Sequence, residues 1–140
     1  MDRAIATAQE AIQLSPMDFE AYRALGNIYR FLVSINAEGA REAALAQFDQ
    51  AIKRSPKNPS LFRDKALTYM SEVVVTRNGT FLDLAQKELE AAVELKADYA
   101  AAHFLLAQIL DAKGDFGQAI KNSEAAALIS PNDVGALFQL

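Results

Sequence analysis

The stretch FEAYRALGNIYRFLV, residues 19–33, and the stretch REAALAQFDQAIKRSP, residues 41–56, decide how this chain folds. In the first, Tyr22, Leu25, Gly26, Ile28, Tyr29 and Leu32 recur at the three- and four-residue intervals of one helix face. In the second, Ala44, Leu45, Phe48, Ala51 and Ile52 do the same. Alanine is frequent in both, which favours helix and lets helices approach closely. Turn residues at 36–39 separate the two stretches, and Pro56 closes the second. The expected unit is a pair of antiparallel helices, an A helix followed by a B helix.

The unit recurs along the chain. Pro16, Pro56, Ala97 and Pro131 are spaced by 40, 41 and 34 residues. Ala11, Ala51, Ala92 and Ala126 give the same shifts, as do Ala4, Ala44, Ala85 and Ala119. Tyr22, Phe62, His103 and Leu137 repeat the series, and so do Leu25, Lys65, Leu106 and Leu140. Agreement of five landmark series marks a repeat array. From Ala44, Ala85 and Ala119 to the closing residue of each unit is always 12 residues, so the extra length of the first two units lies between their helices. It is expected to extend helix A and the turn over 32–38 and 71–80, with Val73, Val74 and Val75 continuing the helix. Asp18, Asn58 and Asp133 suit helix N-caps, and Pro59 suits a first helical position.

These units resemble tetratricopeptide repeats. Tyr22, Leu25, Gly26, Tyr29, Ala44, Phe48, Ala51 and Pro56 match the family pattern in the first full unit. The second supplies Phe62, Ala66, Tyr69, Ala85, Leu89 and Ala92, and departs at Lys65 and Ala97. The third supplies Leu106, Ala107, Leu110, Gly114, Asp115, Phe116, Ala119, Ala126 and Pro131, and departs at His103 and Ser123. The resemblance implies an all-α fold, a right-handed α-solenoid of antiparallel helix pairs in which no unit closes its own core. The frame divides the chain into residues 1–18 as a lone helix B, units at 19–58, 59–99 and 100–133, and residues 134–140 as the start of a further helix A. It reads as a piece of a longer array. Its ends are expected to self-associate through the apolar faces of Ile5, Ala8 and Ile12 at one end and Leu137, Phe138 and Leu140 at the other.

Composition narrows the function. Hydrophobic residues at 51% and charged residues at 23% describe a folded chain, not a disordered one. A net charge of −4 argues against nucleic acid as partner. No apolar run reaches the length of a membrane span, so no membrane insertion is expected. The N-terminal residues carry charge and helical periodicity, unlike a signal peptide. With no cysteine there is no thiolate nucleophile or thiolate metal site. His103 is the single histidine and occupies a packing position of helix A. Phosphate-loop, zinc and calcium motifs are absent. Asn78-Gly79-Thr80 satisfies an N-glycosylation sequon but reads as an inter-helix turn. The chain is expected to be non-catalytic, with no cofactor and no metal.

The resemblance also implies a concave groove lined by the A helices that takes a peptide or a helix. The candidate groove residues are Arg23, Asn27, Arg30 and Phe31 in the first unit, Arg63, Leu67 and Met70 in the second, and Phe104, Gln108 and Asp111 in the third. Arg23, Arg30 and Arg63 would form a basic strip in an acidic chain, suited to carboxylates on a partner protein or peptide. Asn27 can bond a peptide backbone through both its donor and its acceptor. Arg23 and Asn27 match two positions of the tetratricopeptide clamps that hold chaperone C-termini. Asp64, Ala101 and Leu105 break that pattern, so chaperone binding is not expected. The strings 22–26 and 103–107 resemble soluble repeat tails of bacterial O-antigen ligase-like or polymerase-like membrane proteins. That resemblance implies a regulatory or assembly role, and a self-assembly scaffold is the third reading.

Overall fold

The structure, a computed structural model, describes residues 1–133. Within these the chain forms α1 (Asp2–Leu14), α2 (Phe19–Ser34), α3 (Ala40–Arg54), α4 (Pro59–Thr76), α5 (Thr80–Leu95), α6 (Ala100–Ala112) and α7 (Phe116–Ile129), closed by a 3₁₀ turn at Pro131–Asp133. There is no strand among the described residues. Asp18 caps α2 by accepting from the Glu20 N–H at 3.0 Å, and Asn58 caps α4 through the Ser60 N–H at 3.1 Å. Each cap satisfies a donor that the first helical turn leaves unpaired. Pro59 takes the first position of α4. The expected cap at Asp133 and the expected helix over 134–140, with Leu137, Phe138 and Leu140, lie outside the described residues or at their edge.

The extra residues of the first pair lengthen both helix A and the turn at 35–39, whereas in the second they lengthen the helices and leave the turn at 77–79 as short as that at 113–115. α2 has 16 residues and α4 has 18, against 13 in α6. The turn after α4 differs from the expectation at Asn78-Gly79. The left-handed residue is Arg77, with φ 59°, while Gly79 sits in the right-handed region. Asn78 is a capping residue instead: its Oδ1 accepts from the Thr80 N–H and hydroxyl at 3.1 and 2.8 Å. The sequon therefore starts α5.

Helices pair antiparallel as α2/α3, α4/α5 and α6/α7, and α2 packs against α4 as well as α3. Gly26 sets the approach of α2 to α3. A Cβ built there would lie 2.7 Å from the ring of Phe48, which is fully buried. One core cluster joins Tyr22, Ala51 and Leu61 across the first two pairs, with Ile12 packed on it from α1. A larger one runs through Ala66, Ala85, Leu89, Ala92, Ala102, Leu106 and Ile109. The cores therefore cross pair boundaries, as stacking requires.

Two departures from the repeat pattern have physical explanations. Lys65 stands where Leu25 and Leu106 are buried, and its Nζ lies 3.0 Å from both Asp49 of α3 and Glu88 of α5. Burial opposes the charged ammonium, but the two carboxylates outweigh it and hold the Lys65 pKa above its ordinary value. His103 bridges the Ala97 carbonyl at 2.8 Å and Asn122 Oδ1 at 2.9 Å, fastening the start of α6 to the preceding turn and to α7.

Candidate functional site

The ten candidate residues all lie on α2, α4 and α6, the A helices. Phe31 and Asp111 are exposed, and the other eight are half-buried. Met70 packs against the larger core cluster, so part of its side chain is committed to stability. Of the three arginines, Arg23 and Arg63 are brought together by a residue expected to spoil the site. Asp64 is buried, with its side chain 3% exposed. It accepts Arg23 Nε at 2.8 Å on Oδ2 and a terminal nitrogen of Arg63 at 3.2 Å on Oδ1. The bare basic strip is corrected accordingly: one carboxylate neutralises half of this arginine pair. Arg30 is not part of that network.

Each guanidinium spends one nitrogen on Asp64. Arg23 keeps both terminal nitrogens for another acceptor, and Nε of Arg63 is buried with no partner. Beside Arg63 stands Tyr99, its ring centroid 6.0 Å from the guanidinium carbon, and its buried hydroxyl has Arg63 as a loose partner rather than a well-formed hydrogen bond. Burial pushes the Tyr99 phenol pKa up, with Arg63 acting against that shift and Asp64 adding to it. The phenol is therefore a neutral donor at ordinary pH. Asn27, one turn beyond Arg23 on α2, buries an unpartnered Oδ1. Buried polar atoms are nearly always paired, so orphans at neighbouring A-helix positions call for an explanation.

Sequence reading missed Tyr99 because it sits just before α6, outside the helical face used to choose candidates. The part Asp64 plays is not legible in the sequence, since its burial and its arginine partners exist only once α2 and α4 pack. Leu67, Phe104 and Gln108 continue the row along α4 and α6. Among the described residues no cluster of histidine and carboxylates could hold a metal, and no helix is long and apolar enough to cross a membrane.

Against known proteins, the family match covers α5, α6 and α7. Residues 78–134 match the tetratricopeptide repeat family. A solved structure of the MamA protein superposes with a TM-score of 0.71 and 21% identity, over 99% of this chain and 68% of that one. A second MamA structure gives 0.68 and 20%, over 93% and 68%. Identity at this level speaks for the fold: an all-α tetratricopeptide-type solenoid. No curated protein matches the sequence. Tetratricopeptide folds in general mediate protein–protein contacts.

Proposed function

We propose that this chain is a non-catalytic interaction module, with units at 19–58, 59–99 and 100–133, whose A-helix row binds a protein segment bearing a carboxylate. The observation that carries the reading is the unpartnered buried Oδ1 of Asn27, one turn along α2 from the unused terminal nitrogens of Arg23. A ligand carboxylate would accept from Arg23, and its backbone would meet Asn27. Charge-assisted contacts of this kind favour an acidic segment over a basic one. Leu67, Phe104 and Gln108 would extend the surface, Phe31 and Arg30 would border it, and Met70 and Asp111 would play lesser parts. The resemblance to O-antigen ligase tails gains no support from the comparisons.

The test is a peptide-array screen followed by titration of the best acidic binder into the wild type, Arg23→Met and Asn27→Ala. Arg23→Met leaves the Asp64–Arg63 pair in place, so the fold is expected to survive. Binding should weaken at least tenfold in each variant, by about 1.4 kcal/mol. Peptides that bind without any acidic preference, or with no loss in either variant, would overturn the reading.

A further inference from the structure

The arginine pair of the A-helix row encloses an acid. The Asp64 carboxylate is buried and spends both oxygens on the pair, Oδ2 on Arg23 Nε at 2.8 Å and Oδ1 on a terminal nitrogen of Arg63 at 3.2 Å. Two guanidinium groups against one carboxylate leave the cluster with a single net positive charge. Among the described residues no other charged side chain bonds to either arginine. Glu20, one turn before Arg23 on α2, and Lys96, 5.7 Å from the Tyr99 ring, are of opposite sign and both exposed, so water screens them. Asp64 cannot turn away from a bound anion, because both arginines hold it and the packing of α2 on α4 shuts it off from solvent.

We infer that Asp64 sets the charge of the group this site accepts: a monoanion such as an aspartate or glutamate side chain, in preference to a phosphorylated residue. The inference rests on the reading that Arg23 receives an acid of a bound segment. A monoanion on the terminal nitrogens of Arg23 brings the cluster to neutrality. Phosphoserine carries a charge of about −1.5 to −2 at pH 7. Its attraction to the cluster grows in proportion to that charge, while the cost of withdrawing it from water grows as the square. Its second charge also faces the Asp64 carboxylate across the width of one guanidinium. A fixed like charge set against one class of ligand is how a site gains selectivity without new contacts to the other. Asp64 is thus a specificity-determining residue that acts through Arg23.

Three forms of the best acidic peptide from the array test this, with aspartate, cysteic acid or phosphoserine at the anchoring position. Cysteic acid presents a tetrahedral sulfonate with one charge, so it separates charge from head-group shape. Each form is titrated by fluorescence anisotropy into the wild type and into Asp64→Asn, which keeps the shape of the side chain and removes its charge. The wild type is expected to bind the phosphoserine form roughly tenfold or more weaker than the cysteic acid form. Asp64→Asn should raise phosphoserine binding relative to cysteic acid binding by roughly tenfold or more, because a negative charge removed there favours a dianion over a monoanion. Circular dichroism checks that Asp64→Asn keeps its helicity; if it does not, the wild-type comparison decides alone. Equal binding of the cysteic acid and phosphoserine forms by the wild type, whether both tight or both weak, overturns the inference. So does an unchanged ratio in a folded Asp64→Asn. Either result leaves the carboxylate reading standing. That reading fails, and this inference with it, if asparagine in place of the anchoring aspartate costs the peptide no affinity.

Discussion

Gly26→Ala is expected to destabilise this protein, although the same change in most helices stabilises. In a helix interior, alanine gains about 0.5–1 kcal/mol over glycine because it restricts the unfolded chain. Here the new methyl would sit 2.7 Å from Cε1 of Phe48 and 2.9 Å from Cδ1 and Cζ. Carbon atoms in good contact stand about 3.5–4.0 Å apart, so three contacts are well inside the repulsive wall. Phe48 is fully buried and cannot swing into solvent. Overpacking of this kind costs about 1–3 kcal/mol, which outweighs the propensity gain and leaves a net loss of about 1–2 kcal/mol. For a chain of this size that lowers Tm by about 3–8 °C. The assay is urea unfolding followed by circular dichroism, with m unchanged so that the midpoint reports stability. Phe48→Leu alone should also destabilise, by about 1–2 kcal/mol of lost contact and cavity. The double variant should be more stable than the two losses added, because leucine makes room for the methyl. A Gly26→Ala protein more stable than wild type by about 1 kcal/mol would refute the close-approach argument.

Asp64→Ala should destabilise by about 1–3 kcal/mol, because two partly buried guanidinium groups lose their shared carboxylate; thermal melting checks it, and a loss below about 0.5 kcal/mol would show the network to be solvent-screened. Lys65→Met should destabilise by about 1–2 kcal/mol, because the largely buried Glu88 carboxylate loses its cation. The same variant tests a pH effect. The folded-state pKa of Lys65 is raised, so its contribution is present below the unfolded value and fades as pH rises through the folded one. Wild type should therefore lose more stability above about pH 10.5 than Lys65→Met does. Tyr99, raised by burial, titrates alike in both proteins, but Lys65 lowers the pKa of Tyr69, so the comparison is made in a Tyr69→Phe background. Arg54→Ala should cost about 1–2 kcal/mol, since Arg54 stacks 4.0 Å over the Tyr22 ring and bonds its hydroxyl at 2.9 Å.

The fold was legible because its causes are local and repeated. Spacing of Ala44, Phe48 and Ala51 fixes a helix face, Asp18 and Asn58 fix starts, and the same intervals return twice more. Even the lengthened A helices followed from counting residues between landmarks. What was not legible depends on neighbours distant in sequence. Lys65 looked like a broken position until Asp49 and Glu88, from two other helices, closed around its ammonium. The turn at 77–79 puts its left-handed residue, Arg77, two residues before Gly79, because Asn78 is engaged at the start of α5.

The site shows the same limit in sharper form. Periodicity places Arg23 and Arg63 on equivalent faces of α2 and α4, but it cannot tell whether the arginines are free or engaged. That depends on Asp64, whose side chain is buried by the packing of α2 on α4. Residue 64 of α4 occupies the place of residue 24 in α2 and of residue 105 in α6, which are Ala24 and Leu105. The acid that receives Arg23 is therefore particular to the packing of α2 on α4. It also ties the arginines of the A-helix row to the stacking of the pairs. A variant at Asp64 should change binding and stability together. Asn27→Ala removes a buried Oδ1 that has no partner within the fold and gains helix propensity, so it should weaken binding with no loss of stability.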